Sequence, residues 1–456
     1  MLDQTPRQGS FWDSQWIEHL IDKEGFEYHF LRVVRPLIKD ADFAWAYDPN
    51  RGRKAIPPSL IASALILQQR YRLSDREMEK QIRFHLATKY ALGLPMDDEG
   101  FDHTTLCKFR ALLVENEQTR ICFDTFRNLL VEEGLIQAKE TAIIDTTHVI
   151  ADIAIPNTIA LIEQALKAVL QAVAKHHIGI GNQLAKTLGL EFIYERSDRN
   201  EEKKNRLFEL VQGAKRLIQY LEASRDASDP RLKEDLSRLK RILFENTEEQ
   251  ESGRGKKKEI RIEEKLGPMP DRLVSLVDPD ARHGRKSETK KFVGYKAQVL
   301  ENEKEFILDI YGMLGNRHDS WGVSSMMIDC GKAGIGPKYL VGDGAYAQDP
   351  LGLNLAQQEI QMVAPLTSFG VSKKSLFYQN KILFNQTETY QRLMKIRSWI
   401  EHKNSELKNR LGLKRCRYRG LAKFNFQCLF AALAANIQRF ITLLVNGPPL
   451  LTTGMG

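Results

Sequence analysis

The segment Glu140–Ile150 is rich in β-branched residues and reads as a strand whose apolar run is stopped by Asp145. Its surroundings limit what that strand can join. Residues 1 to about 135 read as helical, and a heavily charged helical block fills residues 157–267. A lone strand leaves its backbone N–H and C=O groups unpaired, so its partners must come from beyond residue 267. The expected fold is α/β: an all-helical N-terminal domain, then a mixed-sheet core with a helical insertion after its first strand. The boundaries read as 1–135, 136–156 for the first core strand, 157–267 for the insertion and 268–456 for the remainder of the core.

In the first segment, Pro57-Pro58 sets a helix start and Leu60–Leu67 continues it. Ser74 and Glu77 form a capping box ahead of a short charged helix, about Asp75 to Phe84, and Asp102 caps another. In the insertion, Arg206–Leu221 and Arg231–Leu243 carry apolar residues at helical spacing, and Glu248–Lys258 reads as a mobile polar loop. Strand text resumes at Leu273–Val277. Phe292–Leu300 and Phe306–Met313 read as a hairpin, followed by a helix from about Asp319, its plausible N-cap, to Gly331. Short strands are expected at Tyr339–Gly342, ending at Asp343, and at Ile360–Ala364. Two helices close the chain, about Thr387–Arg410 and Ala422–Val445, the second stopped by Gly447-Pro448-Pro449.

Composition narrows the function classes. With 42% apolar and 28% charged residues the chain is globular. No apolar run approaches the ~18–20 residues of a membrane span, Cys428–Ala435 being a typical short one, and the start lacks the pattern of a secretory signal. Five scattered cysteines with no CxxC pair speak against zinc ribbons and disulfide scaffolds and fit a reducing cytosol. A net charge of +8 suggests a polyanionic partner. Short capped helices carrying Arg76, Lys108 and Arg110 are of the kind that helix-turn-helix DNA readers use. Arg282, Arg285, Lys286, Lys290 and Lys291 form a basic patch suited to phosphates.

Three acidic residues stand out. Asp145 and Asp343 end strands. Glu401 lies on a helix stripe with Arg397 and Lys408, roughly 100° round from a core stripe of Leu393, Ile396, Ile400, Leu407 and Leu411. Carboxylates on two strand ends and one helix can hold two divalent cations about 3.5–4 Å apart, the arrangement that activates water and stabilises both oxygens of a phosphodiester displacement. His148, three residues past Asp145, reads as a polar strand-end residue, and Asp278 as part of a Pro-containing turn.

On these residues the C-terminal half resembles the catalytic domain of bacterial insertion-sequence DDE transposases. Arg397-x3-Glu401-x6-Lys408 matches the last three members of that family's Y-x2-R-x3-E-x6-K; Met394 stands at the tyrosine position and Tyr390 lies a turn earlier. Asp145-Thr146-Thr147 resembles D-[GT]-T, and Asp343-Gly344-Ala345-Tyr346 resembles D-x-x-Y. Arg415–Leu421 and Ala434–Arg439 resemble the family's closing motifs. Gly52–Pro58, Leu73–Glu77 and Asp102–Arg110 resemble its N-terminal helical domain. The helical block 157–267 departs from the resemblance in its placement.

The resemblance implies an RNase H-like core with Asp145, Asp343 and Glu401 as catalytic residues holding two Mg²⁺ ions, for which Mn²⁺ can substitute. It implies terminal inverted repeats of double-stranded DNA as substrate, end cleavage and strand transfer as activity, and a homodimer on paired ends in the bacterial cytoplasm, at the nucleoid. Arg397, Lys408, Arg415, Arg417, Arg419, Arg285, Lys286, Arg76, Lys108 and Arg110 are the expected DNA contacts. A nuclease of the same fold without strand transfer, and an inactive or repurposed DNA-binding protein, stay open as alternatives.

Overall fold

The computed structural model describes residues 14–48, 55–176, 180–190, 200–223, 230–252, 259–265, 267, 269, 271–286, 289–366 and 376–447. Its strands are β1 (Thr141–Ala151), β2 (Thr247–Ser252), β3 (Glu259–Glu264), β4 (Arg282–Arg285), β5 (Lys291–Asn302), β6 (Ile307–Leu314), β7 (Tyr339–Val341), β8 (Gln361–Val363) and β9 (Arg415–Cys416). The chain divides into two compact units. One comprises 1–150, 295–313 and 317–456; the other comprises 151–294 and 314–316.

The first unit holds a mixed sheet in the order β5-β1-β7-β8, with β6 added to β5 and β9 to β1. β1, β7 and β8 run parallel. Parallel neighbours need crossovers, and the helices Val323–Lys332 and Asp349–Ala356 precede β7 and β8 respectively. The β5–β6 hairpin turns at Glu305, whose φ of +67° is left-handed, and the Asn302 side chain accepts from the N–H groups of Lys304 and Phe306.

The N-terminal helices belong to this same unit. Helix Pro58–Tyr71 is buried over Pro58–Gln69 and packs against Leu421–Asn446. The Ser74–Glu77 capping box forms, with both reciprocal bonds, and Asp102 caps His103–Glu115 by accepting from Thr104 N–H at 2.7 Å. Polar ties reach the sheet as well. Gln69 donates to the Leu411 carbonyl at 2.6 Å, and Arg120 pairs at 2.8 Å with Asp309, which is 1% exposed on β6.

The second unit stands on its own apolar core, built from Leu161, Leu166, Leu210, Leu217, Leu239 and their neighbours on helices Thr158–His176, Asn200–Ala223 and Pro230–Asn246. Within it β2 and β3 form an antiparallel hairpin, and β4 pairs with the first residues of β5.

Several expectations need correction. Asp145 does not end its strand: β1 continues to Ala151, because Ile150 N–H finds the Lys414 carbonyl at 3.2 Å and β9 extends the ladder. His148 accordingly lies inside β1. Leu273–Val277 forms no strand, since side chains take its backbone groups: Leu273 N–H donates to Glu245 at 2.7 Å and Val277 N–H to Ser275 Oγ at 3.1 Å. Residues 248–252, expected as loop, are strand, because each pairs across the hairpin with 259–263; Lys256–Lys258 fall outside the described residues. The helix after the hairpin begins at Val323, capped by Gly322 rather than Asp319, whose carboxylate is taken by Lys296. The expected helix Thr387–Arg410 is two, Glu388–Ile396 and Trp399–Asn409, broken at Arg397–Ser398, where Glu401 N–H bonds back only three residues to the Ser398 carbonyl. Helix Leu421–Asn446 forms within about a residue of its expected bounds, but it holds a longer apolar stretch than expected. Its length and mean hydropathy of 1.8 would suffice for a membrane span, but 67% of that window is buried inside this protein.

Glu301, at the end of β5, is 1% exposed and lines a cleft of about 700 Å³ with Lys403, Glu406, Arg410 and Arg439. Burial pushes its carboxyl up to about 8, helped by Glu305 and Glu406 and opposed by Lys403. A folded-state value above the unfolded one means that the native protein holds a proton that the unfolded chain releases. Stability from this group is therefore lost as pH rises from about 5 to 8, by up to about 1.4 kcal/mol per pH unit. Denaturant titrations across that range are expected to show a shallower decline for Glu301→Gln; an unchanged slope would refute the assignment.

Candidate active site

The sheet sets the two aspartates side by side. Ile143 of β1 pairs with Val341 of β7, and two residues further along each parallel chain stand Asp145 and Asp343. Neighbouring strands lie about 4.8 Å apart, so both carboxylates occupy one level of the sheet. Asp343 caps the turn Gly344–Tyr346 by accepting from Ala345 N–H at 2.9 Å. The Asp145 carboxylate accepts from Asn404 Nδ2 at 2.8 Å, and Asn404 is 8% exposed on helix Trp399–Asn409.

Glu401 is exposed in the first turn of that helix. It stands one turn ahead of Asn404, on the same side of the helix. The tie between Asn404 and Asp145 thus brings the helix bearing Glu401 to β1. The core stripe is as expected, with Leu393, Ile396, Ile400, Leu407 and Leu411 all buried.

Burial pushes the Asp145 carboxyl up to about 6. The negative charges of Asp343 and Asp319 push the same way, while the Thr146 backbone N–H and the Arg397 charge push back. Asp319 joins the site from the segment after β6. Its carboxylate pairs with Lys296 Nζ at 2.8 Å, and its carbonyl accepts from Gln298.

The other expected contacts divide by burial. Arg76, Lys108, Arg415 and Arg419 are exposed, as are Arg285 and Lys286 in the second unit; Arg397 and Lys408 are half-buried. Arg110 does not face outward. It is 5% exposed, paired with Asp75 (Nη1 to Oδ2, 3.2 Å), and its guanidinium lies 4.6 Å from the Tyr418 ring centroid, so its charge is spent holding helices to the segment after β9. Arg417 is likewise turned inward, donating to the Leu73 carbonyl at 2.9 Å. Arg282 of the basic patch is buried and bonds the carbonyls of Pro279 and Ala281. Tyr390 sets its ring edge-on to Phe384, 6.2 Å between centroids.

Sequence reasoning passed over Asn404, Lys296 and Gln298. The last two carried a usable signal: on β5 they alternate with Tyr295, Ala297 and Val299, a polar period of two inside a strand otherwise fit for a core.

The donors at this site are carboxylate oxygens, the chemistry that hard divalent cations take. Asp145, Asp343 and Glu401 do not close to mutual contact. Among the described residues, Glu79, Asp102 and His103 form a group of potential ligands within 4.8 Å of one another. That group is accounted for by packing: His103 bonds Glu79 at 2.8 Å through Nδ1, which ties two helices together.

Gly342, between β7 and Asp343, has no room for a side chain. A Cβ there would stand 2.8 Å from Tyr346 Cδ2 and 3.0 Å from Met362 Cε, whereas one at Gly344 would meet nothing. Gly342→Ala is expected to cost about 1–3 kcal/mol in denaturant unfolding, as overpacking does, and Gly344→Ala far less. Equal effects would contradict this packing.

Comparison with known families gives two matches. A transposase domain (DUF772) matches residues 18–112, and a transposase DDE domain matches residues 256–437, a span that includes Asp343 and Glu401 and leaves out Asp145. No curated protein and no solved structure matches the chain. Carrying a transposase domain in each half, the chain belongs to the insertion-sequence DDE transposases.

Proposed function

We propose that this chain binds the terminal inverted repeats of its element as double-stranded DNA, cuts the ends and joins them to target DNA, using an RNase H-like core. The observation that carries the reading is the placement of Asp145 and Asp343 at one level of β1 and β7, with the helix of Glu401 tied to Asp145 through Asn404. The core reading is supported by a sheet in which a hairpin flanks β1 on one side and parallel strands flank it on the other.

Asp145, Asp343 and Glu401 would hold two Mg²⁺ ions, with Mn²⁺ able to replace them. An all-oxygen donor set fits these ions, and the negative charge of Asp343 and Asp319, which adds to burial in raising the Asp145 carboxyl, is the kind a cation relieves. Bound there, such ions supply activation of the attacking oxygen and neutralisation of charge on the phosphate. The protein supplies position. β1 and β7 fix two carboxylates, and Asn404 orients one of them. Arg397, close enough to act on Asp145, offers a cation beside the scissile phosphate. Lys408 stands two turns after Glu401 on helix Trp399–Asn409. The exposed Arg76, Lys108, Arg415, Arg419, Arg285 and Lys286 meet backbone phosphates, which fixes register without reading sequence. Two element ends call for a homodimer, working in the cytoplasm at the nucleoid.

Labelled duplexes carrying the flanking ends of the gene's own locus test this. Incubated with Mg²⁺ or Mn²⁺, the wild type is expected to give end-specific cuts and joined products. Asp343→Asn and Glu401→Gln are expected to bind the same duplexes and give neither product. Cuts without joining would replace transposition by hydrolysis alone. Specific binding with no cutting by the wild type in either metal would make it a DNA-binding protein that has lost or never had this chemistry.

A further inference from the structure

A chain of hydrogen bonds, buried at its centre and half-buried at its ends, links β5 to β1 beside the two aspartates. Gln298 and Tyr346 are each 0% exposed. Gln298 Nε2 donates to the Asp319 carbonyl and, at 3.1 Å, to the Tyr346 hydroxyl; the Tyr346 hydroxyl lies 2.7 Å from Thr146 Oγ1. The direction of the two Gln298 bonds follows. The Asp319 carbonyl can only accept, so the amide must present its nitrogen there, and its second N–H goes to the tyrosine oxygen. Between Tyr346 and Thr146 either hydroxyl can donate, so that link holds in both senses. Burial pushes the Tyr346 hydroxyl above its ordinary value, so it stays protonated and acts as a fixed link.

The site is shaped to hold this chain. Gln298 Oε1 packs at Gly322, where a Cβ would stand 2.4 Å from it. Lys296, two residues before Gln298 on β5, secures the same segment through the Asp319 carboxylate at 2.8 Å and the Arg317 carbonyl at 2.9 Å.

Each end of the chain adjoins a proposed ligand. Thr146 follows Asp145, and Tyr346 closes the turn that Asp343 caps. The β1–β7 register runs only to Ile143 and Val341; past it, Gly342 N–H goes to Val363 on β8 instead. The Tyr346–Thr146 bond therefore ties the Asp343 turn back to β1 where the ladder no longer does. We infer that Tyr346 and Gln298 are positioning residues that set the spacing of the Asp145–Asp343 pair for its divalent ions, by bonding the turn after β7 to Thr146 of β1. This rests on the proposed reading of the aspartates as metal ligands.

The test uses the full-length protein, the end duplexes and Mn²⁺ as the probe. Tyr346→Phe keeps the ring and removes the link. Misplacement of a reacting group by a fraction of an ångström justifies expecting about a tenfold or greater loss in kcat, with KM for the duplex within about twofold. Mn²⁺ binding to the protein alone, followed by electron paramagnetic resonance, is expected to weaken several-fold. Thr146→Val is expected to match Tyr346→Phe, the double variant to lose no more than either, and Thr146→Ser, which keeps the hydroxyl, to restore most of the rate. Gln298→Leu is expected to fall between wild type and Tyr346→Phe. If Tyr346→Phe only melts earlier, with kcat and Mn²⁺ binding unchanged below its transition, the inference is overturned and the functional reading stands. A wild type that neither takes up Mn²⁺ nor cuts overturns the functional reading, and this inference with it.

Discussion

The first unit depends on β1 being paired along its length. An eleven-residue strand in the interior has its backbone N–H and C=O groups in need of partners, and they are drawn from β5, β7 and β9, all at least 140 residues further along the chain. That pairing allows a carboxylate to stand in the middle of a sheet. Asp145 cannot swing away as a loop residue would, because the ladder on either side of it fixes its backbone. The N-terminal helices then close over the same sheet, through Arg120 on Asp309 and Gln69 on the Leu411 carbonyl. Helical layer and site are thus parts of a single compact unit.

Holding carboxylates there opposes stability. Asp145 is pushed towards its neutral form by burial and by its acidic neighbours, against the Thr146 backbone N–H and the Arg397 charge. A fold selected for stability alone would have placed an apolar residue at this position, as at Ile143 and Val149 on the same strand. The surrounding polar groups are where a rule of core packing is broken, and such breaks cluster at functional sites. Asn404, Gln298, Lys296 and Tyr346 each satisfy a neighbour. Lys296, Gln298 and Tyr346 are joined through Asp319 and Thr146, and Asn404 holds Asp145 separately, which lowers the cost of burying them.

What was legible in the sequence was local. The Ser74–Glu77 capping box, the Asp102 cap and the Leu393–Leu411 core stripe each depend on residues within a few turns, and each forms as read. The motifs singled out Asp145 and Asp343, but the strand text around them did not record that β1 and β7 pair. The rest was set by partners far away. Arg417 and Arg110 look like surface cations until Leu73, 344 residues from Arg417, and Asp75, 35 residues from Arg110, turn them inward. Leu273–Val277 has strand composition, yet composition does not record that Glu245 takes its first N–H. Asp319 reads as a helix cap until Lys296 claims its carboxylate.

The break at Arg397–Ser398 is the departure with the largest consequence for the site. A continuous helix would have buried the backbone dipoles of this stretch in its interior. Divided, it ends one helix with Lys395 in the last turn and starts another with Glu401 in the first. A base near a C-terminus and an acid near an N-terminus are where the macrodipole favours each. The first turn of the new helix tightens, with Glu401 N–H bonding back three residues to the Ser398 carbonyl at 3.1 Å. The same break lets the second helix take its own direction, set by Ile400 and Leu407 in the core and by Asn404 on Asp145. The spacing Arg397-x3-Glu401 therefore spans a joint between two helices. Arg397 stays with the joint, within electrostatic reach of Asp145, while Glu401 goes with the helix anchored to β1.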